Sequence, residues 1–190
     1  MLVVFGGLPG TGKTTLARSF ARRRRASYVR VDAIESGLIS AGLVPDQAGV
    51  GPAGYVVANR VAESCLLAGL DVVVDAVNAL EIAREGWRTL AADLGIPVLF
   101  VEVVCSDLDE HRRRVEQRAS DLAGWTLPDW DAVLERTYDP WLSGRLVIDN
   151  VGDPQTHVSV IAAAALTARQ GEECRECGAE QAMDPGPPRE

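Results

Sequence analysis

The chain has 190 residues, of which 47% are hydrophobic and 24% charged, a size and composition typical of one globular domain and too small for two full domains. Its net charge of −8 at pH 7 disfavours a nucleic-acid partner. No apolar stretch approaches the roughly 20 residues that span a bilayer, and the first apolar run leads straight into a glycine loop. We therefore expect a cytoplasmic protein, monomeric or dimeric, that does not associate with membranes.

Five short apolar runs, separated by segments long enough for helices, predict an α/β protein with a parallel sheet covered on both faces. The predicted strands are Val3–Phe5, Tyr28–Val31, Val72–Val74, Val98–Val104 and Leu146–Ile148. The predicted helices are Thr14–Arg25, Ala53–Ala68, Ala79–Leu94, Leu108–Arg118, Trp130–Tyr138 and Gln155–Arg169. Residues 171–190 lack apolar periodicity and are predicted to form a disordered tail.

The loop after the first strand matches the phosphate-binding pattern G-x-x-x-x-G-K-[ST] and stands between a predicted strand and a predicted helix, as a P-loop requires. Its glycines let successive backbone N–H groups surround a phosphate. Lys13 is the only lysine among the 19 lysines and arginines, and its flexible ammonium suits the space between the β- and γ-phosphates. The Thr14 hydroxyl would bind Mg²⁺. We expect ATP and Mg²⁺ as cofactors, and the predicted nucleotide-binding residues here are Gly7, Leu8, Pro9, Gly10, Thr11, Gly12, Lys13, Thr14 and Thr15.

Carboxylates follow two further strands, at the edge of the sheet where ligands collect in parallel α/β proteins. Asp32 follows the second strand and is our candidate for the general base that accepts the proton of the attacking hydroxyl. Asp75 follows the third strand and would hold a Mg²⁺-bound water, with Asn78 close enough to orient substrate. The roles of the two aspartates could be exchanged.

Arginines on the predicted helix 108–118 provide candidates for neutralising charge in the transition state. Arg114 and Arg118 lie one helical turn apart and are predicted to be catalytic residues at a lid. Arg112 and Arg113 are interpreted instead as ion-pair partners of neighbouring glutamates. Asp107 is predicted to cap the helix.

These motifs resemble the P-loop kinases grouped as AAA-type predicted kinases, close to the chloramphenicol phosphotransferase-like, zeta-toxin-like and polynucleotide 5′-kinase proteins. The resemblance covers about residues 1–168 and is carried by Gly7–Thr15, Tyr28–Ile34, Val73–Asn78, Arg114 with Arg118, Tyr138–Pro140 and Val147–Asp149. It implies a three-layer P-loop NTPase fold with a five-stranded parallel sheet, a kinase domain over 1–170 and a small lid over about 108–140. It also implies that Asp32 is the base, that the arginine pair belongs to the lid, and that the loop with Asn150 and Gly152 passes beside the adenine.

The identity of the acceptor stays open. The stretch Glu35–Gly69 and the helix after Asp75 are expected to hold it, although Trp87 on that helix is more typical of a core residue. The leading hypothesis is an ATP-dependent kinase acting on a hydroxyl of a small molecule. The alternatives are a 5′-hydroxyl polynucleotide kinase and a regulatory ATP-binding protein with slow hydrolysis. Cys174 and Cys177 have zinc-ligand spacing, but the chain offers no second pair.

Overall fold

A five-stranded, all-parallel sheet forms the centre of the computed structural model, which describes residues 1–181 except Ala123 and Ser143, and side chains up to residue 170. The strands lie in the order β2-β3-β1-β4-β5. They are β1 (Leu2–Gly6), β2 (Ser27–Arg30), β3 (Val72–Asp75), β4 (Val98–Val104) and β5 (Leu146–Asp149). The helices are α1 (Lys13–Arg24), α2 (Val31–Ser40), α3 (Gln47–Val50), α4 (Ala53–Leu67), α5 (Glu81–Asp93), α6 (Leu108–Gln117), α7 (Trp130–Leu134) and α8 (Pro154–Gln181).

The sheet is covered on both faces, which confirms the predicted three-layer architecture. Alternate residues of β1 point to opposite faces, because side chains alternate along a strand. Leu2 and Val4 pack in a cluster with residues of α4 and α5, whereas Val3 and Phe5 pack with residues of α1 and α8. Every residue of β1 and β3 is buried, so these continuous apolar runs are central strands of a parallel sheet.

The register of the strands brings the predicted site residues together. Phe5 on β1 pairs with Asp75 on β3, and Arg30 on β2 pairs with the same aspartate. The P-loop begins directly after β1, at Gly7. The P-loop, Asp75 and the start of α2 therefore meet at the carboxyl edge of the sheet, as expected for a ligand site in this fold class.

Helix α2 was not predicted from the sequence. It begins at Val31, directly after β2, so that Asp32 lies in the first turn of a helix rather than at the tip of a strand. Arg30 occupies the N-cap and makes no side-chain capping bond, so no capping residue marks the start of the helix. An acidic residue in the first turn is favourable because it faces the positive end of the helix dipole.

The other boundaries agree closely with the prediction at α1, α4, α5 and α6, and less closely at the C-terminal part. Helix α7 ends at Leu134, four residues earlier than predicted, and α8 continues to Gln181. The tail prediction remains a prediction, since residues 182–190 and the side chains of Cys174 and Cys177 lie outside the described part. Within that part, none of the helices has the length and hydropathy needed to cross a bilayer.

Candidate functional site

The P-loop folds so tightly that its glycines leave no room for side chains. Gly7, Gly10 and Gly12 have positive φ angles of 139°, 88° and 88°. A Cβ atom at Gly7 would lie 2.2 Å from the carbonyl oxygen of Val103, and one at Gly12 would lie 2.2 Å from Nδ2 of Asn150. These glycines are required both for the left-handed backbone and for the close approach of neighbouring groups.

Side chains on the outer side of the P-loop hold its carbonyl groups. Nε2 of His111 lies 2.9 Å from the carbonyl oxygen of Pro9, so the ring carries its proton on that nitrogen. Nδ2 of Asn150 donates to the carbonyl oxygen of Thr11 at 2.8 Å, and the Thr11 hydroxyl donates to that of Leu8 at 2.9 Å. With the carbonyl oxygens engaged outside, backbone N–H groups are left to face an anion inside the loop.

Lys13 is a buried cation without a protein partner. It opens α1, has only 7% of its surface exposed, and lines the cleft described below. Within the described part of the chain its ammonium makes no hydrogen bond or ion pair. Burying a charge without a partner is costly, so this position is stabilised when an anion binds at the loop.

Asp75 has one oxygen held and one free. The Tyr28 hydroxyl donates to Oδ2 at 2.6 Å, whereas the buried Oδ1 has no partner in the described chain. Burial, and then the charge of Asp75, raise the pKa of Tyr28, so the tyrosine stays a donor. A free carboxylate oxygen here and a hydroxyl at Thr14 fit Mg²⁺, which is usually bound by one or two protein ligands, waters and substrate phosphates. In the described part of the chain, no three His, Cys, Asp or Glu side chains form a closed metal cluster.

The prediction that Asn78 orients substrate is wrong, because its side chain is buried and fully engaged. Asn78 is 0% exposed and has a positive φ of 50°. Its Nδ2 donates to the carbonyl oxygen of Phe5 at 2.8 Å, and its Oδ1 accepts from Nε1 of Trp87 at 3.0 Å. Asn78 therefore ties β1 to α5, and Trp87 is confirmed as a core residue.

A cleft of about 1270 Å³ opens beside the P-loop and brings three predicted catalytic residues together. Lys13, Asp32 and Arg118 all line it. Asp32 is partly exposed and lies 3.6 Å from NH2 of Arg30. Arg118 donates through NH2 to the carbonyl oxygen of Pro128 at 3.3 Å, but its buried Nε has no partner in the described chain. Burial lowers the pKa of Arg118, so a nearby anion would stabilise its charge.

The structure separates Arg114 from Arg118, although the sequence predicts a shared face. Helix α6 ends at Gln117, and Arg118 has an extended backbone with φ −72° and ψ 145°. Arg114 lies outside the cleft lining. Its Nε donates to Glu110 at 2.7 Å and its NH1 donates to the carbonyl oxygen of Asn150 at 2.9 Å. Arg114 thus supports the residue that holds the P-loop, while Arg118 faces the cleft.

The remaining arginines of α6 and its cap agree with their predicted structural roles. Arg112 pairs with Glu116 at 2.7 Å, and Arg113 pairs with Glu110 at 2.6 Å. Hydrogen bonds first from Arg113 and then from Arg114 lower the pKa of Glu110 to about 2. Asp107 accepts a hydrogen bond from the backbone N–H of Glu110 at 3.0 Å and so caps the helix.

Asn150 and Gly152 begin the loop after β5, beside the P-loop. Asn150 is buried, and its side chain contacts the P-loop backbone, with Oδ1 unpartnered in the described chain. Gly152 has a φ of 96° and open space where a Cβ would lie. Contact of this loop with the adenine stays a prediction.

Among the charged residues that line the cleft, Glu35 and Arg136 were not singled out from the sequence, although Glu35 begins the stretch expected to hold the acceptor. Glu35 lies on α2, three positions after Asp32, and Arg136 follows α7. Burial first, and then the charge of Asp32, raise the pKa of Glu35 to about 7, while Arg136 opposes this rise. A prediction of α2 would have found Glu35, because residues three apart share a helix face. Arg136 could have been chosen as a candidate site residue, because it is the only basic residue in the sequence between Arg118 and Arg145.

Side-chain contacts join the segment between α6 and α7 to α1, β2 and α3. Asp121 pairs with Arg18 at 2.9 Å and with Arg30 at 2.8 Å. Gln47 and Thr126 exchange two hydrogen bonds, from Nε2 to the carbonyl oxygen at 3.1 Å and from the backbone N–H to Oε1 at 3.2 Å. We name residues 118–136 the lid, since Arg118, Arg136 and residues 125–128 line the cleft; the wider lid over about 108–140 stays a prediction.

Comparison with known proteins gives a family and a fold. The family model described as an AAA domain matches residues 2–137. Uncharacterized proteins of Mycobacterium tuberculosis and Mycobacterium bovis are each 31% identical over 168 residues, covering 83% of this chain and 33% of theirs. The chain thus spans about a third of the length of these curated relatives.

Solved structures of kinases share the fold at low sequence identity. A sugar kinase from Janibacter sp. has a TM-score of 0.63 and 17% identity, covering 90% of this chain and 96% of its own. A gluconokinase from Sinorhizobium meliloti has a TM-score of 0.58 and 18% identity, covering 96% and 97%. The APS kinase of Mycobacterium tuberculosis, solved with AMPPNP and APS, has a TM-score of 0.59 and 22% identity, covering 85% and 95%.

The match to the family covers four of the six segments that carry the sequence resemblance, and Tyr138–Pro140 and Val147–Asp149 lie beyond its end. It includes the P-loop, Asp32 and Asp75, and it ends close to Arg136. We conclude that this chain belongs to the AAA domain family, and its fold is the one that these solved kinases share.

Proposed function

We propose that the protein is an ATP-dependent kinase that transfers the γ-phosphoryl group of ATP to a hydroxyl of a small molecule. The observation that carries the proposal is the placement of three groups in one cleft: the unpartnered ammonium of Lys13, the carboxylate of Asp32 and the guanidinium of Arg118. Phosphoryl transfer requires such positioning and charge neutralisation and little covalent help from the protein. The fold shared with enzymes named sugar kinase, gluconokinase and APS kinase supports the same reaction class.

In the proposed reaction the nucleotide phosphates lie in the P-loop. The backbone N–H groups and Lys13 hold the β- and γ-phosphates, and the N-terminal end of α1 adds its positive dipole. Thr14 and the free Oδ1 of Asp75 would hold Mg²⁺ or one of its waters, which supplies charge neutralisation on the phosphates when it is bound. Tyr28 keeps Asp75 in position through the 2.6 Å hydrogen bond.

Asp32 is the proposed general base. Its carboxylate accepts the proton of the acceptor hydroxyl, the hydroxyl oxygen forms a bond to the γ-phosphorus, and the bond from that phosphorus to the β–γ bridging oxygen breaks to release ADP. Arg118 faces the same cleft and would stabilise the charge of the transferring group. Arg136 is a second cation of the lid that could take part, since it lines the cleft.

The test compares Asp32→Asn with Lys13→Ala in an assay of ATP turnover with a panel of hydroxylated antibiotics, sugars, nucleosides and 5′-hydroxyl oligonucleotides. Removing a general base lowers transfer by about 10²- to 10⁴-fold, so Asp32→Asn should lose product while its affinity for ADP, measured calorimetrically, stays unchanged. Lys13→Ala should lose both product formation and ADP affinity, because the ammonium contacts the phosphates in the ground state and in the transition state.

Asp93→Asn is the matched control, because Asp93 is an exposed carboxylate that lines the far part of the same cleft. It should leave product formation unchanged. Retention of transfer by Asp32→Asn would exclude Asp32 as the base. Hydrolysis that no acceptor changes, with no phosphorylated product detected by mass, would contradict the kinase proposal and favour the regulatory ATP-binding alternative.

A further inference from the structure

Glu35 shares the acceptor side of the cleft with the proposed base. It lies one helical turn after Asp32 on α2, and both residues line the cleft. Residues three positions apart lie on the same helix face, and one turn rises by about 5.4 Å. A molecule whose hydroxyl reaches Asp32 therefore presents its neighbouring groups to Glu35.

The backbone of α4 is shaped around the Glu35 side chain. A Cβ atom at Gly54 would lie 2.3 Å from Cγ of Glu35 and 2.4 Å from its Oε1. The φ angle of Gly54 is not positive, so glycine is needed here for space and not for an unusual backbone. An alanine at this position would push the Glu35 carboxylate away from α4, so the sequence at Gly54 fixes where the carboxylate lies.

The Glu35 carboxylate has no partner of its own. In the described part of the chain it makes no hydrogen bond or ion pair, whereas Asp32 has Arg30 at 3.6 Å. The charged groups that interact with it across the cleft are Asp32 and Arg136, and the hydroxyl of Tyr55 on α4 is also nearby. A half-buried carboxylate without a donor is unfavourable, and a ligand that brings a donor relieves that cost.

Resting on the proposed function, we infer that Glu35 determines acceptor specificity. It accepts a hydrogen bond from a second donor group of the acceptor, either a hydroxyl or an ammonium, that lies within about 5 Å of the reacting hydroxyl. Because Asp32 and Glu35 present two carboxylates on one face, an acceptor with a phosphate or carboxylate at that distance is repelled. The acceptor class is thus a polyol or amino alcohol without an anionic group beside the reacting hydroxyl.

The experiment measures binding of three matched probes to the full chain saturated with Mg²⁺ and a non-hydrolysable ATP analogue, so that the P-loop is occupied. The probes are glycerol, 3-amino-1,2-propanediol and glycerol 3-phosphate. Binding of each probe is measured from the NMR chemical shifts of the α2 backbone amides at pH 8. We expect the phosphate probe to bind at least about tenfold more weakly than the better of the other two, as a like-charge contact would produce. Preference for the amine over glycerol would identify an ammonium as the donor, and equal binding would identify a hydroxyl.

Variants separate recognition from a structural role. Glu35→Gln should bring the three affinities to within about twofold of each other, whereas Glu35→Asp should keep the order with weaker binding. Both variants are first checked for an unchanged fold by their thermal transition. The inference is overturned if the wild-type protein binds the phosphate probe as well as the others, if Glu35→Gln keeps the wild-type order, or if no probe shifts the α2 amides.

These outcomes are distinct from failure of the kinase proposal. Loss of the proposed function would appear as absence of phosphorylated product from every acceptor, while discrimination among the three probes would persist. If phosphorylated product forms but the order of the three probe affinities does not depend on Glu35, the specificity inference alone is overturned.

Discussion

At the phosphate end of the cleft, the carbonyl oxygens of Pro9 and Thr11 each have a buried side-chain donor, whereas at the acceptor end Glu35 and Nε of Arg118 have no partner in the described chain. The first end is fixed before any ligand arrives, so little conformational entropy is lost when phosphate binds. The second end has polar groups that only a bound molecule or a moved lid can satisfy, whereas the groups that the described chain leaves without a partner at the first end, such as Lys13 and Oδ1 of Asp75, are those proposed to hold the phosphates and Mg²⁺. The difference indicates that nucleotide affinity and acceptor selection are built separately.

The two ends also differ in the sequence separation of the residues that form them. The P-loop is contiguous, and its supports come from His111 and Asn150. The acceptor end combines α2, α4, α5 and the lid. Side-chain bonds between distant segments support it, such as those from Asn59 to the carbonyl oxygen of Gly86 and from Gln47 to that of Thr126. Changes behind the acceptor end should therefore lower stability, and changes behind the P-loop should lower nucleotide affinity.

The largest expected effect is loss of stability in Arg84→Met. Arg84 is 0% exposed, donates to the carbonyl oxygens of Asn78, Ala79 and Asp139 at 2.8 Å each, and stacks 4.1 Å from the ring centre of Trp141. Removing it leaves the carbonyl oxygens of Asn78 and Asp139 without this donor, whereas that of Ala79 keeps the backbone N–H of Asp139 at 2.8 Å. The free energy of unfolding should therefore fall by about 3–5 kcal/mol. Urea denaturation measures this change.

Arg112→Met is the control for that substitution. Arg112 is exposed, and its ion pair in the described part of the chain is with Glu116, four residues later on the same helix, so its loss should cost less than about 1 kcal/mol. Equal urea midpoints of unfolding for the two variants would contradict the interpretation that the buried bonds of Arg84 stabilise the acceptor end of the cleft. Below its own unfolding transition, Arg84→Met should still bind ADP, because the P-loop makes no bond to Arg84.

The same contrast explains what the sequence could and could not predict. The P-loop was predicted because its glycines, Lys13 and Thr14 follow one another at fixed spacing between a strand and a helix. The meeting of Asp32 and Asp75 followed from the carboxyl edge of a parallel sheet. In both cases a local pattern or a general rule of topology determines the position.

Residues that act through buried side-chain bonds were misassigned or missed. Asn78 was expected to contact substrate, but its amide bonds join it to residues 73 and 9 positions away. Arg84 lies on the helix that was expected to hold the acceptor, but its guanidinium is buried and bonded to backbone carbonyl oxygens. Glu35 was included only as the first residue of the stretch expected to hold the acceptor, and its place one turn after Asp32 was not predicted because α2 starts without a capping signal. No spacing rule predicts which distant carbonyl a side chain will reach.

A smaller effect is expected from His111→Phe, which tests the support of the P-loop. The phenylalanine ring would keep the edge-to-face contact with Trp130, where the ring centres are 5.1 Å apart, but would lose the bond to Pro9. Loss of one hydrogen bond of about 1–1.5 kcal/mol should weaken ADP binding by roughly 5- to 10-fold. Calorimetric titration with ADP measures the change, and the affinity for an acceptor should stay the same.

Arg112→Met is the control here as well, because Arg112 is exposed on the same helix as His111 and its ion pair is with Glu116, away from the P-loop. Its ADP affinity should equal that of the wild-type protein. A His111→Phe variant that binds ADP normally would show that Asn150 alone fixes the loop. A decrease in acceptor affinity instead of ADP affinity would show that His111 acts through Trp130 on the lid.

The smallest effect is expected from Asp121→Asn, which weakens the ion pairs that join the lid to α1 and β2. The side chain of Asp121 is 53% exposed, and exposed pairs contribute little, so the acceptor KM should rise only about 2- to 3-fold with kcat unchanged. Hydrogen bonds first from Arg30 and then from Arg18 lower the pKa of Asp121 to about 2. The carboxylate is therefore charged at all pH values above about 4, and the difference between variant and wild type should not depend on pH between 6 and 9.

The salt dependence of KM shows whether the effect of Asp121→Asn comes from the loss of its surface ion pairs. Ion pairs at the surface are screened at about 0.5 M salt, so the acceptor KM of the wild-type protein should rise towards that of Asp121→Asn while the variant changes little. Asp131→Asn, on the exposed side of α7, should behave as the wild type. If Asp121→Asn instead weakens ADP binding as much as acceptor binding, the lid couples the two ends of the cleft, and the fixed phosphate end would depend on the lid for its geometry.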